Sequence, residues 1–149
     1  QKEVQRERNV MDFAGLSYFA IVIAAVVSFL FGWLWYGVLF PKAWVEAVGK
    51  TEEELRAQGN SPTPFIIAFV AQLIMAWVLA GVIGHLGAEE VTVRNGVISA
   101  AFIWLGFVIT TLAVNHAFQG SKRTLTLIDG GHWLGVLLLQ GGVIGLVGV

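Results

Sequence analysis

The sequence predicts an all-α, polytopic integral membrane protein whose four transmembrane helices form an antiparallel bundle. Four uncharged stretches dominate the chain, and each holds the roughly 20 residues that cross a bilayer core of about 30 Å. They run Phe13–Pro41, Ala57–Ala88, Asn95–Ser121 and Gly130–Val149. Hydrophobic residues make up 56% of the 149 residues and charged residues only 13%, about half the usual share in a soluble domain. One membrane domain is therefore expected.

The first helix is predicted at about residues 16–40, after a polar tail of mixed charge at residues 1–10; residues 11–149 form the single transmembrane domain. Pro41 ends this helix because its nitrogen has no proton for the helical ladder. The apolar stretch is longer than that of a typical signal peptide. It also ends in Trp33-Leu34-Trp35-Tyr36, where a cleavage site would carry small residues. We expect a retained helix.

The other helices are predicted at about residues 65–86, 94–118 and 125–147, with an interfacial loop at 42–64. Within the loop, Thr51 and Glu54 form a capping box, and Gly59 ends the short helix that it starts. The two later connections are short, which favours antiparallel neighbours.

The orientation is predicted from lysine and arginine residues near the helix ends. Loops 42–64 and 119–124 carry five of them, whereas the opposite side carries Arg94 and the three in the tail. We expect both loops to be cytoplasmic and both termini to be outside.

Small residues at spacing four, or along one stripe of a helix, predict the surfaces at which the helices pack, because helices in lipid associate through close backbone contact. These residues are Ala24, Ser28, Gly32, Ala76, Ala80, Gly84, Gly135 and Gly142. Two interpretations stay open: packing within one bundle, or a surface for a partner subunit. Gln72 and Gln140, near mid-span, are expected to form hydrogen bonds between helices.

Aromatic side chains gather at the side of the bundle that carries loops 42–64 and 119–124. We expect them to form an interfacial belt; they are Trp33, Trp35, Tyr36, Trp44 and Trp133.

A candidate polar cluster lies at the same side, since ionisable groups in a bilayer are costly and often functional. Its members are Asn115, His116, Lys122, Arg123, Asp129 and His132. Such a cluster can hold an anion, a lipid head group or a metal ion. A simpler interpretation is that Asp129 lies in the first turn of its helix, favoured by the dipole, and pairs with Lys122 or Arg123. Mixed ligands without motif spacing are weak evidence for a metal, so none is expected.

Several functional classes are unsupported. The net charge of −1 gives no electrostatic reason for nucleic-acid binding. Neither a phosphate-binding glycine loop nor a hydrolase nucleophile elbow is present, so no enzyme activity is expected. No cofactor is expected either, with a haem or chlorin at His85 or His116 as the minor alternative.

The chain resembles a family of small bacterial membrane proteins, the domain-of-unknown-function family 1761. The resemblance depends on residues 31–44 (FGWLWYGVLFPKAW), preceded by residues 11–15 (MDFAG), and on residues 51–55, 104–107 and 127–133. It implies a four-helix protein of the bacterial inner membrane and brings no activity. Residues 1–10 look like an extension of the family pattern.

Two functional hypotheses follow. The first is a structural or interaction protein, either a homo-oligomer or an accessory subunit of a larger membrane complex, with the lipid bilayer and other membrane subunits as partners. The alternative is a small transporter or channel whose path runs along a subunit interface and is lined by Gln72, Gln140 and the corner formed by His116, Asp129 and His132.

Overall fold

The computed structural model describes residues 15–149, and this part of the chain contains helices and turns but no strand. The helices are α1 (Tyr18–Leu39), α2 (Pro41–Val48), α3 (Glu52–Ala57), α4 (Thr63–His85), α5 (Val93–Phe118) and α6 (Arg123–Val147). Four of them, α1, α4, α5 and α6, are long and apolar enough to cross a membrane. The predicted fold class is thereby confirmed. The predicted tail at residues 1–10 lies outside the described residues.

Local sequence explains where the helices start. Ser17 caps α1 by accepting a hydrogen bond from the amide of Ala20. The capping box predicted before α3 is confirmed, because the Thr51 hydroxyl accepts from the Glu54 amide and the Glu54 carboxylate accepts from the Thr51 amide. Hydrogen bonds with Thr51 also lower the pKa of Glu54. Pro41 forms the first turn of α2, where a missing amide proton costs nothing.

Two of the membrane helices contain a π turn that the sequence analysis did not predict. In α1 the turn spans Trp35–Leu39, and in α5 it spans Trp104–Val108. Such turns are rare and occur frequently at functional sites. Both begin with a tryptophan that is followed two residues later by a glycine.

The bundle is arranged around α6. This helix packs against α5 on one side and α1 on another, and α4 packs mainly against α1 and more lightly against α6. The buried core lies between these four helices, and its largest fully buried apolar side chains are Leu79, Ile83 and Ile144. α5 is the most peripheral of the four, since only Gly96 and Ala100 along its length are buried.

A polar layer joins three helices within this apolar core. The side-chain amide of Gln140, on α6, donates to the Ser28 hydroxyl of α1 and to the backbone carbonyl of Gln72 on α4, both at 3.0 Å. The Ser28 hydroxyl lies 2.8 Å from Gln72 Oε1 and donates to it. The interhelical hydrogen bonds predicted for the two glutamines are therefore confirmed. We call these three residues the polar layer.

The small residues singled out in the sequence lie at contacts within the chain. Ala24, Ser28, Ala76 and Ala80 are fully buried. The four glycines each face a side chain of another segment: Gly32 faces His132, Gly84 faces Val149, Gly135 faces Phe31 and Gly142 faces Val97.

The closest approach between helices joins α5 and α6 at two glycines. A Cβ atom added to Gly96 would overlap the backbone carbonyl of Gly141, and one added to Gly141 would overlap that of Gly96. Backbone atoms cannot move aside as the end of a flexible side chain can. The contact therefore requires glycine at both positions.

The substitution Gly96→Ala should push α5 away from α6. Because overpacking a tight contact typically costs about 1–3 kcal/mol, we expect a loss of that size in the free energy of unfolding, measured by denaturant titration in mixed micelles. Gly106→Ala is the matched control on the same helix, since no heavy atom lies within 4 Å of its added Cβ. Equal stability of the two variants would contradict this account.

Candidate functional site

A cavity of about 690 Å³ lies between α1, α4 and α6, at the end of the bundle that carries α2. Most of its wall is apolar, and six aromatic side chains line it: Phe29, Trp33, Tyr36, Trp44, Phe65 and Trp133. The polar side chains in the wall are those of Gln72, Asp129 and His132. We call this space the aromatic cavity.

Asp129 connects the aromatic cavity to α5. Its carboxylate accepts a hydrogen bond from the Tyr36 hydroxyl, at 2.7 Å from Oδ1. On the other side, Nε2 of His116 lies 3.9 Å from Oδ2, and the two side chains are 12% (His116) and 21% (Asp129) exposed. His116 is held in turn by Thr126, whose hydroxyl lies 2.9 Å from Nδ1. The carboxylate is thus fixed between α1 and α5.

His132 is buried in the cavity wall, with 6% of its surface exposed. Its ring lies nearly parallel to that of Phe31, with centroids 6.0 Å apart, and 4.8 Å from the rings of Tyr36 and Trp133. Nδ1 is buried and has no hydrogen-bond partner in residues 15–149. A Cβ atom at Gly32 would lie 2.9 Å from Nε2, so glycine leaves room for this ring.

Two tryptophans hold the backbone on either side of Asp129. The Trp35 indole donates to the Ile128 carbonyl at 3.1 Å, and the Trp104 indole donates to the Gly130 carbonyl at 2.8 Å. Each of these tryptophans is the first residue of a π turn. Gly131 has no side chain to block Trp35, whose ring would lie 2.9 Å from an added Cβ. We call this arrangement the tryptophan clamp.

Only part of the predicted polar cluster comes together. The structure pairs His116 with Asp129 and places His132 in the cavity wall, whereas Asn115, Lys122 and Arg123 are exposed. Lys122 donates to the backbone carbonyl of Glu46. The interpretation that Asp129 pairs with Lys122 or Arg123 is wrong, because its partners are Tyr36 and His116. Moreover, α6 begins at Arg123, which moves Asp129 beyond the first turn.

The members of the polar cluster that could ligate a metal ion, His116, Asp129 and His132, do not form a metal site. Within the described part of the chain, no three histidine, cysteine, aspartate or glutamate side chains are close enough to hold a metal ion. His85, considered as a haem or chlorin ligand, is exposed at the end of α4, and His116 is occupied by Thr126 and Asp129.

The predicted interfacial aromatics surround the site. Trp33, Tyr36, Trp44 and Trp133 line the cavity, and Trp35 belongs to the tryptophan clamp. Sequence reasoning assigned them by depth alone and missed Trp104, Phe29 and Phe65 as residues of the site. The pattern Trp-x-Gly occurs at residues 35–37, 104–106 and 133–135, and the first two copies mark the clamp. The third lies in α6 without a π turn, so the pattern alone does not identify the clamp.

Replacing either clamp tryptophan by phenylalanine keeps one aromatic ring and removes the N–H donor together with part of the ring volume. We expect Trp35→Phe and Trp104→Phe each to lose about 0.5–1.5 kcal/mol of unfolding free energy, the typical net contribution of one hydrogen bond. Thermal unfolding in detergent measures this. Trp33→Phe is the control, because Trp33 is 68% exposed on the same helix as Trp35. A loss as large in the control would refute the role given to the indole N–H groups.

Comparison with known proteins gives one match. A family model described as "Protein of unknown function (DUF1761)" matches residues 19–145. No curated protein and no solved structure shows significant similarity to the chain. Because the family model matches most of the 149 residues, this four-helix membrane protein belongs to the DUF1761 family, as the sequence resemblance predicted.

Proposed function

We propose that this membrane protein binds an amphipathic small molecule of the bilayer in the aromatic cavity. The observation that carries the proposal is the cavity itself. Its volume of about 690 Å³ lies in the range of small-molecule sites. Its composition fits too, since such sites combine mostly apolar walls with a few placed polar groups, and here the polar groups are Gln72, Asp129 and His132.

The position of the cavity favours a ligand that arrives from lipid. The cavity lies between membrane-spanning helices, and two of its lining side chains, Trp33 and Phe65, are 68% and 67% exposed on the outside of the bundle. In a bilayer these rings are expected where the acyl chains meet the head groups. A molecule dissolved in the membrane can therefore reach the site without crossing water.

Binding is better supported than conduction. The transport alternative placed a path along a subunit interface, lined by Gln72, Gln140 and the corner formed by His116, Asp129 and His132. The two glutamine side chains are buried, at 2% and 0% exposure. Both bond to Ser28 of α1, and Gln140 also donates to the backbone carbonyl of Gln72. Beyond this polar layer the core of the bundle is closely packed and apolar. The cavity is thus supported as a binding site that ends at the polar layer, where Gln72 lines its wall.

A small neutral dye tests the proposal. In neutral detergent, 1-aminoanthracene should bind the full chain and receive excitation energy from the cavity tryptophans. Ala68→Phe places a ring in the cavity wall and should weaken dye binding by about tenfold, equivalent to about 1.4 kcal/mol. Ala117→Phe, on the exposed surface of α5, is the matched control and should bind as the wild type does. Equal energy transfer in all three proteins, or none in the wild type, would overturn the proposal.

A structural or interaction role is the second candidate, and the exposure of α5 favours it. No residue of α5 from Ile109 to Phe118 is buried. Phe102 and Phe107, in the middle of this helix, are 71% and 73% exposed. The small residues that suggested a partner surface are used within the chain, so a partner subunit would contact α5.

Cysteine cross-linking tests this second candidate cleanly, because these 149 residues contain no cysteine. If copies of the chain associate through α5, Phe107→Cys should form a disulfide-linked dimer in native membranes. Ile74→Cys on α4, which is 55% exposed at a similar depth, is the matched control and should stay monomeric. Equal cross-linking at both positions would indicate random collision and remove this role for α5 between copies of the chain.

A further inference from the structure

We propose that the ligand of the aromatic cavity is a lipophilic cation, meaning an organic ammonium or phosphonium ion with apolar groups, and that Asp129 is its counter-ion. This inference rests on the proposed binding function and adds the chemical class of the ligand. Three features of the cavity wall support it: its charge, its aromatic rings and one unpaired nitrogen.

The charge of the wall favours a cation. Asp129 has the only carboxylate among the lining side chains within the described residues, and no lysine or arginine lines the cavity. The nearest lysine along the chain, Lys122, donates instead to the carbonyl of Glu46. A single carboxylate in an apolar space attracts a cation strongly, because a low dielectric leaves the charge poorly screened.

The known partners of Asp129 leave its cavity side available. Tyr36 donates one hydrogen bond to Oδ1, and His116 approaches Oδ2 from α5, outside the cavity wall. At 3.9 Å the contact with His116 is longer than a hydrogen bond. The carboxylate is therefore positioned by two neighbours without being fully used by them.

Aromatic rings beside the carboxylate provide the second feature. Tyr36 and Trp44 pack edge to face with centroids 6.0 Å apart, and Trp133 also lines the cavity. The face of an aromatic ring carries partial negative charge and attracts cations, most strongly in tryptophan. The same faces repel an anion. Apolar groups of the ligand would contact the remaining rings.

His132 supplies the third feature. Its Nδ1 atom is buried in the same wall and has no partner within residues 15–149. A buried polar atom without a partner is costly. When the ring proton is on Nε2 and the ring turns the buried Nδ1 towards the cavity, this atom can accept a hydrogen bond from an N–H group of an ammonium ligand.

Two probes of matched size and opposite charge test the inference. Tetraphenylphosphonium and tetraphenylborate have similar shapes, and their binding to the full chain in neutral detergent is measured by quenching of tryptophan fluorescence. We expect the cation to bind at least about tenfold more tightly than the anion, a factor that corresponds to about 1.4 kcal/mol. Equal or reversed affinities would overturn the proposal.

The variant Asp129→Asn tests the counter-ion directly, and an asparagine oxygen can still accept the hydrogen bond from Tyr36. It should weaken binding of the phosphonium by about tenfold or more, a larger factor than for any change in binding of neutral 1-aminoanthracene. Glu53→Gln, at an exposed acid outside the cavity, should change neither. If Asp129→Asn binds the phosphonium as the wild type does, the counter-ion role is wrong while the binding site stands. If the wild type does not bind the neutral dye, the proposed function fails.

Discussion

The glycines on the contact faces of α6 are the constraint on which the rest of this structure depends. Water does not drive helices together inside a bilayer, so packing there needs close contact between backbones and side chains. Helix α6 satisfies this need on two sides. Gly131 and Gly135 leave room for the aromatic rings of α1, whereas Gly130 and Gly141 leave room for Ile109 and the backbone of α5. A helix with larger residues at these positions would not fit at the centre of the bundle.

The same glycines make the candidate site possible. Trp35 can reach the Ile128 carbonyl because Gly131 has no Cβ in its path, and Trp104 reaches the Gly130 carbonyl from α5. The two π turns that begin at these tryptophans alter the local helix geometry at the point where each indole meets α6. Packing and site geometry therefore have one cause, and the backbone on both sides of Asp129 is held from opposite helices.

Those features that depend on local sequence were predictable. The four spans begin and end within two residues of the predicted positions, because hydrophobic length is read directly from the chain. The box formed by Thr51 and Glu54 was predictable for the same reason. The meeting of His116 and Asp129 followed from their similar depth and a short turn. The hydrogen bond between Tyr36 and Asp129 was not predictable. The two residues are 93 positions apart, and only the packing of α1 on α6 brings them together. Lys122 and Arg123 were predicted as partners because they lie near Asp129 in the sequence. In the structure Lys122 donates to Glu46 of α2, and Arg123 is exposed.

The two groups of polar residues in the bundle have different consequences for what the cavity can recognise. At its inner end, Gln72 belongs both to the cavity wall and to the polar layer, where Ser28 and Gln140 fix its position. The side-chain oxygen of Gln72 already accepts a hydrogen bond from Ser28 and therefore offers little to a ligand. At the outer end, Asp129 retains exposure and His132 retains an unpaired nitrogen. Since unpaired polar groups gain most from a new partner, selectivity should reside near Asp129, and the inner end should act as an apolar wall of fixed shape.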